Sequence, residues 1–178
     1  MLTIISVSYH SNDYLKLNRE LTGYQYPWLV YQNDTEKAPD SFEMYYGKND
    51  ESLKDGNIGY ASFNHAKGLN HLIRQVKTKY VLVLDPDFFI APPLEEVLKR
   101  MEGRDLAFFG APYPISEKDR IQDFPVAFCM FINLEKVPAN ELDFMPSNVN
   151  GWASDTGYQV YQKYKGIEKA EIALPSYA

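Results

Sequence analysis

The sequence predicts an α/β fold with a largely parallel sheet flanked by helices. Three observations carry this. Strand-like runs alternate with stretches of helical spacing, the pattern of βαβ units. Leu2-Thr-Ile-Ile-Ser-Val-Ser8 and Tyr80-Val-Leu-Val-Leu84 are near-continuous apolar runs, as strands covered on both faces require. The 178 residues suit a single domain with one sizeable core, and neither repeat nor linker divides them.

Each element follows from local chemistry. Leu2 to Ser8 is the first strand, and Ser11 or Asn12 is placed to cap a helix running to about Leu21. Gly23 and Pro27 punctuate the return to Trp28-Leu-Val-Tyr31, and Phe42 to Tyr46 reads as a third strand. From Tyr60 to about Lys77, Leu69, Leu72, Ile73 and Val76 have helical spacing, and Gly68 lies within that stretch. Tyr80 to Leu84 is the strongest strand. Pro92-Pro93 opens a helix through about Met101, since proline suits a first turn. Leu106 to Phe109 and Val126 to Ile132 are further strands, separated by an exposed loop over Ala111 to Asp123. Asp155 is placed to cap a last helix, Tyr158 to Lys165, and Ala170 to Leu174 is a final strand. An antiparallel element is expected late in the chain.

Composition narrows the function. Net charge is −6, which excludes broad electrostatic binding to nucleic acid. The single cysteine, Cys129, rules out an internal disulfide and fits a reducing compartment; its apolar neighbours predict inert burial. No apolar run approaches the roughly 18 residues that span a bilayer, and Met1-Leu-Thr-Ile-Ile lacks a basic leader. The expectation is a cytoplasmic protein, with room for peripheral membrane or homo-oligomer association. His10, His65 and His71 have no ligand-like spacing, so no zinc site is expected. Nucleotide-cradling Gly-x-Gly-x-x-Gly or Walker loops are missing, as is the Gly-x-Ser-x-Gly elbow.

The chemistry concentrates at Asp85-Pro86-Asp87, which closes the strongest strand. Ligands of open α/β sheets bind just outside that end. Two carboxylates one residue apart repel unless something neutralises them, and a hard divalent ion, Mg²⁺ or Mn²⁺, takes one or two carboxylates plus phosphate oxygens. The plainer alternative is a strand ending in a solvated Asp-Pro turn. A second segment, Asn57-Ile-Gly59-Tyr-Ala-Ser-Phe-Asn64, joins a glycine suited to close backbone approach with an asparagine on an early helical turn.

In this order the segments resemble family-2-type glycosyltransferases of the GT-A fold. That family has Asn-x-Gly-Phe/Tyr-Ala/Gly-x-x-Asn, a helix, then an apolar strand ending in Asp-x-Asp. Ile4-Ile-Ser-Val-Ser-Tyr9 resembles its opening strand, and Trp28-Leu-Val-Tyr-Gln-Asn-Asp-Thr35 its second. The likeness covers roughly the first 100 residues well and the rest loosely. It implies one GT-A domain, with a nucleotide-sugar half over 1–100 and an acceptor half over 101–178. It implies a UDP-, GDP- or dTDP-linked sugar donor, an inverting transfer to a glycan or other hydroxyl acceptor, and a cation at Asp87 and Asp85. Carried over residue by residue, the nucleotide-sugar site falls on Ser8, Tyr9, Gln32, Asn57, Gly59, Asn64 and Asp85. Gln32 stands where the family usually has a base-reading Asp. The family's catalytic Asp, often in Glu-Asp, maps to Asp155, with Ser154 in place of the Glu; Trp152 is placed to stack on an acceptor sugar. The residues themselves leave Asp155 open as base or as helix cap. Two alternatives stand: a non-catalytic or degenerate nucleotide-sugar-binding module, and a haloacid-dehalogenase-type phosphohydrolase, which wants its Asp pair nearer the N-terminus.

Overall fold

The computed structural model describes residues 1–34, 36, 39–50, 60–90, 93–113, 121–149 and 152–172. The strands are β1 (Leu2–Ser8), β2 (Trp28–Gln32), β3 (Glu43–Tyr46), β4 (Tyr80–Leu84), β5 (Phe108–Gly110), β6 (Cys129–Asn133), β7 (Asn148–Val149), β8 (Trp152–Ala153) and β9 (Ala170–Ile172). The helices are α1 (Asn12–Thr22), α2 (Tyr60–Ile73), α3 (Leu94–Gly103) and α4 (Tyr158–Tyr164). Seven strands form one sheet in the order β3-β2-β1-β4-β6-β5-β9. β1 pairs parallel with β2 and β4, β2 with β3, and β5 with β9. β6 runs antiparallel to both β4 and β5, which is the expected late antiparallel element. β7 and β8 make a small separate hairpin that the sequence pattern did not reveal.

The sheet is covered on both faces, so β1, β2, β4 and β6 are buried along their whole length. Ile5, Val7, Leu29, Val81 and Val83 face one way, toward Leu69, Leu72 and Ile73 of α2 and Val160 of α4. Leu2, Ile4, Val30, Leu82 and Leu84 face the other, toward Leu15 of α1 and Val97 and Met101 of α3. α2 carries Gly68, which costs about 1 kcal/mol against alanine in a helix. Burying three aliphatic side chains at roughly 1.5–3 kcal/mol each outweighs that cost.

Two capping expectations need correction. Ser11 holds the cap position of α1 but makes no side-chain cap bond; its hydroxyl turns to Ser8 and to the Tyr9 N–H. Gly157, in the left-handed conformation at φ 86°, starts α4, again without a side-chain cap. Asp155 is therefore not a cap, and its carboxylate is engaged elsewhere.

Candidate active site

A cleft of about 690 Å³ opens over the C-terminal ends of β1 and β4, lined in part by Tyr9, Asn64, His65, Asp85, Asp87 and Asp155. Its floor is the turn that ends β4. The Asp85 N–H donates to the Phe128 carbonyl at 2.9 Å, and the Phe88 N–H closes the turn on the Asp85 carbonyl at 3.0 Å. Asn18 braces the turn from below: fully buried on α1, it donates Nδ2 to the carbonyls of Pro86 at 2.7 Å and Phe88 at 3.0 Å. The turn leaves Asp85 half-buried and Asp87 exposed, both on the cleft.

α2 forms one wall. Ser62 donates its hydroxyl to Asp155 Oδ1 at 2.8 Å, and the Thr156 N–H donates to the same oxygen at 2.7 Å. The Tyr113 hydroxyl donates to Oδ2. Thr156 in turn donates its hydroxyl to the Ser62 carbonyl at 3.0 Å, tying the two walls together. Asp155 is thus held at both oxygens, by its own neighbour and by two separate segments. One turn along α2, His65 places Nε2 3.2 Å from Asp85 Oδ1. Burial opposes a charge on this ring, but Asp85, with Asp155 and Asp87 behind it, outweighs burial and raises its pKa above the ordinary imidazole value.

The expected site residues divide. Asp85, Asp87, Asp155, Tyr9 and Asn64 come together on one cleft despite their separation in sequence. Ser8 and Gln32 do not line it. Ser8 is buried and shares a hydrogen bond of 2.9 Å with the Ser11 hydroxyl, so Ser11 lines the cleft in its place. Gln32 is fully buried, with Nε2 donating to Asp34 at 2.7 Å, and Asn33 and Asn49 present their side chains there instead. Asn64 is a brace: Nδ2 donates to the Tyr60 carbonyl and Oδ1 accepts from the Asp50 N–H, each at 2.9 Å. Asn57 and Gly59 lie outside the described residues. Trp152 opens β8, and its side chain lies outside the described part.

Sequence reasoning missed His65, Asn18, Ser62 and Tyr113. Asn18 alone left a signal, as a polar residue on the buried stripe Leu15–Asn18–Arg19 of an amphipathic helix. The other two histidines have different surroundings. His71 packs at an angle against the rings of Tyr31 and Tyr45. His10 joins Asp34 and Glu36 in the one three-ligand cluster among the described residues. There Nδ1 lies 2.9 Å from Glu36 and the His10 N–H donates to Asp34 at 2.6 Å, so these exposed groups already satisfy one another.

The donor set on the cleft suits a divalent cation. Asp85 Oδ1 is shut off from solvent and has no geometric hydrogen bond; its neighbour of opposite charge is His65, so the pair together offers an oxygen and a nitrogen to an ion. Asp87 does not stand close enough to His65 and Asp85 to form a three-ligand cluster with them.

Comparison with known proteins decides the family. The sequence profile described as glycosyl transferase family 2 matches residues 35–147, more than half of the chain. The chain belongs to glycosyl transferase family 2. No curated protein matches it. Among solved structures, the family-2 chain resembles the mannosyltransferase PcManGT from Pyrobaculum calidifontis, determined with GDP-Man and Mn²⁺. The TM-score is 0.57 and the identity 11%, over 98% of this chain and 54% of that one. It also resembles S. aureus TarS, with a TM-score of 0.54 and 12% identity over 80% of this chain and 30% of that one. The chain thus spans about half the length of the first structure and under a third of the second. These likenesses establish the GT-A type of fold, and the family assignment displaces the phosphohydrolase alternative.

Proposed function

We propose that this chain is the transfer domain of an inverting, metal-dependent glycosyltransferase. It moves a sugar from a UDP-, GDP- or dTDP-linked donor to a hydroxyl acceptor such as a glycan. The observation that carries this is the convergence of Asp85, Asp87 and Asp155 on one cleft at the carboxyl end of the sheet. Asp87 and Asp85 are the residues to hold Mn²⁺ or Mg²⁺. When bound, such an ion neutralises a diphosphate and eases its departure. Tyr9, Asn33 and Asn49 lie along the wall on the nucleotide side. Asn33 already lends Nδ2 to the Asn64 carbonyl at 3.3 Å, so a base edge would meet chiefly Tyr9 and Asn49.

Asp155 takes the acceptor's proton as the hydroxyl oxygen attacks the anomeric carbon. A base must point one oxygen at that proton, and the bonds from Ser62, Thr156 and Tyr113 fix the carboxylate against rotation. Trp152, three residues before Asp155, is placed to meet the acceptor sugar.

Thermal unfolding with UDP, GDP and dTDP, each with and without Mn²⁺, tests the reading, because ligand binding raises the melting point by mass action. One diphosphate is expected to stabilise the protein only with the metal, and Asp87→Ala to abolish that shift. Asp155→Asn is expected to keep the shift and lose transfer by 10²-fold or more, on the order of a missing general base. Transfer retained in Asp155→Asn removes Asp155 from the role. Wild-type binding with no turnover of any donor favours a binding module.

A further inference from the structure

Two atoms able to ligate a metal face each other in the cleft as an ion pair. His65 Nε2 and Asp85 Oδ1 are 3.2 Å apart, and Oδ1 is closed to water with no geometric hydrogen bond. Ligands bound at roughly 2.0–2.2 Å stand about 3 Å apart along an octahedral edge and about 3.5 Å apart along a tetrahedral one. The observed separation falls between these, so both atoms can reach one ion with little movement. The two residues are also well held. His65 is on α2, whose buried side is locked by Ala66, Leu69, Leu72 and Ile73. Asp85 is fixed by its own N–H and by the Asn18 brace beneath the turn.

We propose that His65 supplies a nitrogen ligand, beside Asp85, to the divalent cation of this cleft, and that the site therefore favours Mn²⁺ over Mg²⁺. This rests on the metal-dependent reading above and adds to it a ligand and a metal preference. Magnesium demands near-ideal oxygen coordination and sheds water reluctantly. Imidazole suits first-row transition ions, so one nitrogen among carboxylates tilts the choice. Asp87, exposed on the same cleft, is the further carboxylate available to the ion.

Pulsed electron paramagnetic resonance of Mn²⁺ bound with the stabilising nucleoside diphosphate tests the proposal. Wild-type protein is expected to show the nuclear modulation of a coordinated imidazole nitrogen. The modulation should change frequency when the protein is made with ¹⁵N-histidine, a readout that needs no variant. His65→Gln should lose the signal and weaken Mn²⁺ by about tenfold or more, while Mg²⁺ affinity measured by competition moves far less. His10→Gln should leave the signal intact. Mn²⁺ bound in an Asp87-dependent way, with no nitrogen modulation or with equal losses for both metals in His65→Gln, overturns this proposal and leaves the functional reading standing. Mn²⁺ that does not bind, or that ignores Asp87→Ala, overturns both.

Discussion

Asn18 shows how one amide can set the geometry of a site it never touches. It is fully buried and lends Nδ2 to two carbonyls of the Asp85 turn. Pro86 has no N–H to share with a neighbouring strand, so this turn depends on side chains to hold its carbonyls. Asn18→Ala strips both carbonyls of their donor, and we expect a loss of about 1–3 kcal/mol of stability. The Mn²⁺-dependent nucleotide shift should fall further than the apo melting point, because the turn then holds Asp85 and Asp87 less firmly. A variant that melts earlier but keeps its full ligand shift would show that Asn18 supports the core alone. Cys129 makes the opposite point. Burial first, then the nearby Asp85 charge, pushes its thiol up to about 12, so it stays neutral and inert despite its place beside the site.

α2 joins the two layers of chemistry, because its inner face packs on the sheet while its first turns line the cleft. Its tightest point is Gly68. A Cβ there would lie 2.7 Å from Val7 Cγ2 and 2.9 Å from the Tyr31 ring. Glycine to alanine within a helix normally gains about 1 kcal/mol. Overpacking at such distances costs about 1–3 kcal/mol. We therefore expect Gly68→Ala to lower the melting point, at roughly 2–4 °C per kcal/mol for a chain of this size. In a Val7→Ala background the same change should cost less, since one of the two close contacts is gone, a coupling that a double-mutant cycle measures. Additive effects would mean that the helix relaxes away from the sheet. This helix also marks the limit of what was legible in the sequence. Its apolar spacing placed it, and Asp85-Pro86-Asp87 marked the site, since both are local patterns. The His65–Asp85 contact and the Ser62–Asp155 bond join residues far apart in the chain, and no local pattern encodes them. Gln32 shows a related limit: its position matches the motif, but β2 turns its side chain into the interior, toward Asp34.

At the scale of the whole molecule, the reversed strand β6 unites the two halves. The first four strands run parallel and hold the Asp85 turn; β6 then pairs antiparallel with β4 and carries β5 and β9 beyond it. β4 and β6 are matched over five residue pairs, from Tyr80–Asn133 to Leu84–Cys129. Phe131 packs with Leu82 and Leu84 in one core layer, while Met130 and Ile132 pack with Val81 and Val83 in the other. Neither half can bury its share of the sheet alone, so the two should unfold together. Hydrogen exchange distinguishes one cooperative unit from two. The amides of β1, β4 and β6 are expected to exchange in a single slowest event. Those of the edge strand β3 should open earlier, because its residues are only partly covered. β9 is the other edge, tied to α3 by Arg100 and by Arg104 just past the helix end, both of which reach Glu171. The two arginines are more than half exposed and their pairs are partly screened, and β9 is only partly covered, so it should open early as well. Distinct slow rates for β4 and β6 would divide the protein into two foldons. In that case the grip of Ser62 on Asp155 would have to form anew at each closure, and the cleft could not be the preorganised site that a fixed base requires.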